Sequence, residues 1–166
     1  MFELIKSLTQ TYGPSGNEKK VAEKIKNLLK GKVDETRTDA MGNLICVKKG
    51  SGKKIMFAAH MDEIGIIVTY IDENGFLRFG NVGGLPQLII MGQRVRFENG
   101  TIGVIWYEEN IDNMKNATLD KLYIDIGASS REEAEKLVKV GDMGVFVGET
   151  VLQNGKIISK ALDDRL

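Results

Sequence analysis

Several residue types are scarce, and each scarcity excludes something. The single cysteine, Cys46, cannot form an internal disulfide. Set in the apolar run Leu44-Ile45-Cys46-Val47, it reads as a buried structural thiol rather than a nucleophile. No apolar run approaches the roughly 20 residues that cross a bilayer. No basic-then-apolar leader opens the chain either, since Met1-Phe2-Glu3-Leu4-Ile5-Lys6 already reads as an amphipathic helix. A reducing, cytoplasmic location and no membrane partner are therefore expected. Neither charge sign is in excess, with 23 acidic and 23 basic residues, and basic pairs such as Lys19-Lys20 and Lys48-Lys49 are short. Such dispersed charge gives nucleic acid little to bind. A Gly-x-Ser-x-Gly elbow is missing, which removes the usual serine-hydrolase signature. Gly83-Gly84 and Gly50-Ser51-Gly52 lack the spacing of phosphate loops and read as turns.

What is present describes a globular chain. Its 166 residues, 42% apolar and 28% charged, suffice for one ordinary domain, or a small domain plus part of another. Phe2, Ile5, Leu8 and Tyr12 form a helical stripe that Gly13-Pro14 breaks. Ser15 and Glu18 have capping-box spacing ahead of a second helix whose inner face is Val21, Ile25, Leu28 and Leu29, and Gly31 ends it. Strand patterns follow at 33–37 and 43–48, joined by Asp39-Ala40-Met41-Gly42. Residues 54–60 form a near-continuous apolar run, as in a strand covered on both faces. The opening of the chain thus reads as an α/β layer.

The following stretch has another character. Runs at 66–71 and 76–79 flank Asp72-Glu73-Asn74-Gly75, a hairpin signal. Further strands are predicted around 95–97, 101–106, 122–126, 145–147 and 149–152, with Asn154-Gly155 as another turn. One helix interrupts them at 130–138, with Ser130 as N-cap and Glu132 and Glu133 in its first turn. Residues 108–119 are polar and aperiodic and read as an exposed, mobile loop. Short strands between regular turns suggest a small barrel or sandwich. The fold class expected is α/β with an inserted β-rich module. Residues 1–65 form the first part of the α/β domain, 66–157 the insertion, and 158–166 a return strand.

Chemistry concentrates at the two junctions. The only histidine, His60, closes the apolar run in Phe57-Ala58-Ala59-His60-Met61-Asp62-Glu63-Ile64-Gly65. On an extended backbone His60 and Asp62 share a face, so the carboxylate is able to hold one ring nitrogen while the other binds a metal. The simpler alternative is a histidine satisfied by a neighbouring side chain. At the other junction, Lys160-Ala161-Leu162-Asp163-Asp164-Arg165 offers Asp163 as a shared ligand at the end of a strand-like run, or else a helix start with a local ion pair. Asp62 and Glu63 are adjacent, so on a strand they face opposite sides, which argues against a glycosidase pair.

Five segments occur in an order that resembles a family. They are Tyr12-Gly13-Pro14-Ser15-Gly16-Asn17-Glu18, Asp39 with Met41-Gly42-Asn43-Leu44, Ala59 to Gly65, Val82-Gly83-Gly84, and Lys160 to Arg165. Together they resemble the tetrahedral and glutamyl-type metallo-aminopeptidases, also labelled deblocking aminopeptidase, cellulase M or endoglucanase. The resemblance implies an α/β catalytic domain interrupted by a small β-barrel-like dimerisation domain. It implies two divalent ions, zinc or cobalt, with His60 a ligand of one, Asp163 bridging both, and Asp62 orienting His60. It also implies peptide substrates, and self-association through 66–157 into dimers that build a dodecamer. Members of the family continue past the Asp-Asp-Arg motif to a Glu-Glu pair holding the general base and to a second histidine. None of these is assigned here, so the 166-residue chain alone is expected to be inert, the opening part of a larger enzyme. The alternatives are a non-catalytic oligomerisation module and, by label alone, an endoglucanase. Apolar surface and a strand edge are expected to lie exposed in the opening sheet.

Overall fold

The computed structural model describes residues 1–108 and 118–165, with Leu88 and Asp164 described by backbone alone. The chain divides into two compact units. One comprises Met1–Gly13, Asn17–Asp62 and Thr150–Leu166, and the other Pro14–Gly16 and Glu63–Glu149.

The second unit contains a closed barrel. Its strands are β3 (Gly65–Ile71), β4 (Leu77–Val82), β5 (Arg94–Phe97), β6 (Ile102–Tyr107), β7 (Leu122–Asp125) and β8 (Met143–Phe146). They close in the order β3-β4-β7-β6-β5-β8, and all neighbours are antiparallel. Alternate side chains therefore point inward, and Ile66, Val68, Leu77, Val95, Phe97, Ile105, Leu122 and Ile124 are almost wholly buried. Burying each such side chain stabilises the unit by about 1.5–3 kcal/mol. The inward series on β3 runs Ile66, Val68, Ile71 because the register shifts between Val68 and Tyr70, leaving Tyr70 half exposed. Gly103 also faces inward, where a Cβ would press on Ile124 of the next strand and Ile126 just beyond it.

The predicted β3–β4 hairpin forms. Asp72 Oδ1 accepts from the backbone N–H groups of Asn74 and Phe76, both at 3.0 Å, and Gly75 takes φ 87°. A short helix, α3 (Gln87–Ile90), precedes β5, and α4 (Arg131–Leu137) precedes β8. Ser130 caps α4 by accepting from Glu133 N–H at 3.3 Å, as its sequence predicts. Of the expected loop at 108–119, residues 109–117 lie outside the described residues; Glu108 pairs with Arg78 at 2.8 Å, and Leu119–Lys121 form a 3-10 turn.

The first unit opens with α1 (Phe2–Thr9) and α2 (Lys19–Leu29). They bury Leu8, Thr9 and Val21. Glu18, rather than Ser15, is the N-cap of α2, with no side-chain cap bond, and Ser15 N–H donates to Glu63 O at 3.2 Å. Strands β1 (Glu35–Thr38) and β2 (Leu44–Val47) pair antiparallel, as expected. Their turn is held by Asp39 Oδ1, which accepts from Met41 N–H and Asn43 N–H at 3.0 and 2.9 Å.

Two expected strands come out otherwise. Residues 54–60 carry no strand pairing, and Ile55, Met56 and Phe57 are 77%, 88% and 92% exposed. Their apolar composition favours burial, but no strand among the described residues supplies the ladder bonds. The apolar surface expected to lie open in this layer is therefore there. At the far end, β9 (Val151–Gln153) and β10 (Lys156–Ile158) form a hairpin through Asn154 and Gly155, at φ 51° and 72°. Leu162–Arg165 then forms a helical turn, α5, so Asp163 sits on a helix rather than at the end of a strand.

Candidate metal centre

His60 and Asp163 come together within the first unit. Asp62 Oδ1 lies 3.0 Å from His60 Nδ1, and Asp163 Oδ1 lies 3.4 Å from Nε2. The same-face geometry expected of residues 60 and 62 is thus realised although no strand is paired there. The imidazole is 53% exposed, Asp62 33% and Asp163 98%, so the arrangement faces outward. Desolvation pulls the His60 pKa down, but the hydrogen bond and charge of Asp62, followed by those of Asp163, outweigh it and raise it above the ordinary value.

The backbone explains how Asp163 arrives. Ala161 adopts φ 52°, a left-handed conformation that non-glycine residues seldom take, and α5 begins directly after it. The turn is then fastened by Arg165, which is 5% exposed. Its guanidinium donates to the carbonyls of Met61 at 2.6 Å, Thr11 at 2.7 Å, Gly13 at 2.9 Å and Leu8 at 3.2 Å. Sequence reading placed Arg165 only in a local ion pair. The sequence offered no specific signal for this role beyond the general rule that a buried cation must find acceptors.

An imidazole nitrogen and a carboxylate oxygen bound to one tetrahedral ion at about 2.0–2.2 Å stand about 3.3–3.6 Å apart. The 3.4 Å between His60 Nε2 and Asp163 Oδ1 fits that bite, and a carboxylate on the far ring nitrogen is the usual support of a metal-bound histidine. The fit is that of a partial shell: among the described residues, no group of three or more His, Cys, Asp or Glu side chains could hold an ion. A groove of about 650 Å³ adjoins the pair, lined among others by Ile25, Leu29, Leu44, Phe57, His60 and Asp62. Asp39, part of another expected motif, also reaches this groove, but its carboxylate serves the β1–β2 turn. No helix among the described residues is long and apolar enough to cross a membrane.

Comparison with known proteins gives a consistent result. Residues 42–166 match the model of the M42 glutamyl aminopeptidase family. A protein of Acetivibrio thermocellus that carries an aminopeptidase name is 58% identical over 165 residues, covering 99% of this chain and 50% of the relative. The lysyl aminopeptidase of Pyrococcus furiosus is 36% identical over 177 residues, covering 99% of this chain and 51% of its own length. The chain therefore spans about half the length of these relatives. Among solved structures, an aminopeptidase of Desulfurococcus kamchatkensis superposes with TM-score 0.88 at 42% identity, covering 99% of this chain and 48% of that one. A Thermotoga maritima structure named endoglucanase gives TM-score 0.87 at 40% identity, covering 97% and 50%. The TET1 peptidase of Pyrococcus horikoshii, described as assembling into a tetrahedron or a large octahedral shell, gives TM-score 0.84 at 39% identity, covering 98% and 52%.

Proposed function

We propose, from the premise that the chain belongs to the M42 glutamyl aminopeptidase family, that it carries part of the dinuclear site of an enzyme that removes N-terminal residues from peptides. The observation behind this reading is the metal-compatible spacing of His60 Nε2 and Asp163 Oδ1, backed by Asp62 on Nδ1. In it His60 is a terminal ligand, Asp163 a bridge and Asp62 the orienting carboxylate. Two divalent ions, zinc or cobalt, would polarise the scissile carbonyl and supply hydroxide near neutral pH. The chain's own residues fix geometry: Asp62 sets the ring plane and tautomer of His60, and α5 presents Asp163.

Two ligands do not fill a dinuclear shell, and the general base implied by the family resemblance has no assigned counterpart in this chain. The 166-residue polypeptide by itself is therefore expected to be inert. The decisive test adds cobalt or zinc and an aminoacyl chromogenic substrate to this polypeptide, alone and mixed with the half of the Acetivibrio thermocellus relative that it does not cover. Activity that appears only in the mixture, and disappears with His60→Ala, supports the reading. Turnover by the polypeptide alone overturns its expected inertness; turnover in the mixture that survives His60→Ala overturns the site.

The same reading assigns residues 66–157 a role in self-association. Support comes from the outer face of β6, where Ile102, Val104 and Trp106 are 52%, 38% and 47% exposed. Register places Arg96 and Arg94 of β5 beside Ile102 and Val104, and Asp125 of β7 on the other side of Val104. An apolar strip with opposite charges on its two flanks suits pairing with a second copy about a twofold axis. A cytoplasmic location belongs to this reading too, on the strength of the unpaired thiol of Cys46.

A further inference from the structure

The four carbonyls that receive Arg165 belong to separate stretches of the first unit. Leu8, Thr11 and Gly13 lie at and just beyond the C-terminal end of α1, where helix carbonyls lack internal partners and the dipole favours a cation. Met61 lies between His60 and Asp62. One guanidinium thus fastens the end of α1, the 60–62 segment and the α5 turn to one another. Gly13 leaves the room this needs, since a Cβ there would come 3.0 Å from Arg165 Nη2.

We propose that Arg165 is a positioning residue that holds the Asp163 carboxylate at the metal bite from His60, an inference that rests on the metal reading above. Asp163 itself is 98% exposed, so packing does not fix its side chain. Its position derives from its backbone, which is bent by Ala161 on one side and anchored by Arg165 two residues further on. The Met61 contact ties that anchor to the residue next to His60, so the two ligands share one reference point. A lysine would keep the charge but present its donors from a single nitrogen, which cannot reach four carbonyls in different directions.

The single histidine makes the test specific, because imidazole ring signals in a nitrogen-15 spectrum report on His60 alone. In the metal-free 166-residue protein, Arg165→Lys is expected to move the His60 Nε2 signal to where Asp163→Asn moves it, with backbone dispersion retained. An unmoved Nε2 signal in Arg165→Lys overturns the proposal. So does general loss of dispersion in both Arg165→Lys and Arg165→Ala, which would make Arg165 a fold staple only. In a second arm, cobalt(II) is titrated and broadening of the His60 ring signals followed, a readout that tolerates weak binding. Arg165→Lys is expected to raise the midpoint about tenfold, in line with the effect of other residues that support metal ligands. A wild-type protein whose His60 signals ignore cobalt defeats the metal reading, while the metal-free arm still decides whether Arg165 sets Asp163.

Discussion

His60 Nε2 and Asp163 Oδ1 stand 3.4 Å apart although the entire barrel sequence separates them in the chain. Asp62, only two residues from His60, takes the other ring nitrogen. The sequential neighbour and the distant residue thus divide one imidazole between them, and their removal has different consequences.

Asp62→Asn keeps the shape of the side chain and loses its charge. In the complemented enzyme it is expected to lower cobalt affinity by about 10–100-fold, measured by competition with a chelator. His60→Ala is expected to abolish the binding outright. Equal affinities for Asp62→Asn and wild type would show that the carboxylate does not orient the ring.

Trp106 is half exposed on the outer face of β6. Trp106→Asp is expected to shift sedimentation toward the monomer while leaving the barrel's unfolding midpoint nearly unchanged. If the wild-type protein is already monomeric at high concentration, self-association through this face is wrong.

Inside the barrel the cost of a substitution depends on whether it empties or crowds the core. Phe97→Ala is expected to destabilise by about 3–5 kcal/mol through the cavity it leaves. Gly103→Ala is expected to cost about 1–3 kcal/mol by driving a methyl group into Ile124 and Ile126. Denaturant unfolding of both variants measures the difference.

The β1–β2 turn is expected to respond to pH. Hydrogen bonds from the Asn43 side chain, then from the Asn43 and Met41 backbone, hold the Asp39 carboxyl below its ordinary pKa. Its contribution is therefore full above the unfolded pKa and fades as pH falls through the lower folded one. Amide exchange at Met41 and Asn43, corrected for intrinsic rates, should lose protection in acid, and Asp39→Asn should lack that protection at neutral pH.

Much of the barrel is legible in the sequence. Asp72 to Gly75 announces a turn through chemistry local to it, and Ser130 announces a helix cap in the same way. The bulge near Thr69 is not legible, because it depends on which inward positions the partner strands offer. Residues 54–60 mislead for a related reason: an apolar run signals a wish for burial and leaves the identity of the covering partner unstated. At the site, His60 and Asp62 could be joined by counting residues, and Asp163 by resemblance. Arg165 could not, since the four acceptors described above are backbone carbonyls, and every residue type carries one.

The circular order of the barrel strands constrains how this unit meets anything else. Every barrel strand has a hydrogen-bonded neighbour on both sides, although β4 meets β7 at the single register pair Leu77–Ile124, so the unit offers no whole strand edge for a foreign strand to extend. Recognition then draws mainly on side chains, and contacts of that kind respond to salt, pH and single substitutions without any hydrogen-bonded sheet having to be dismantled. An assembly built on such a unit can come apart and reform with each protomer intact.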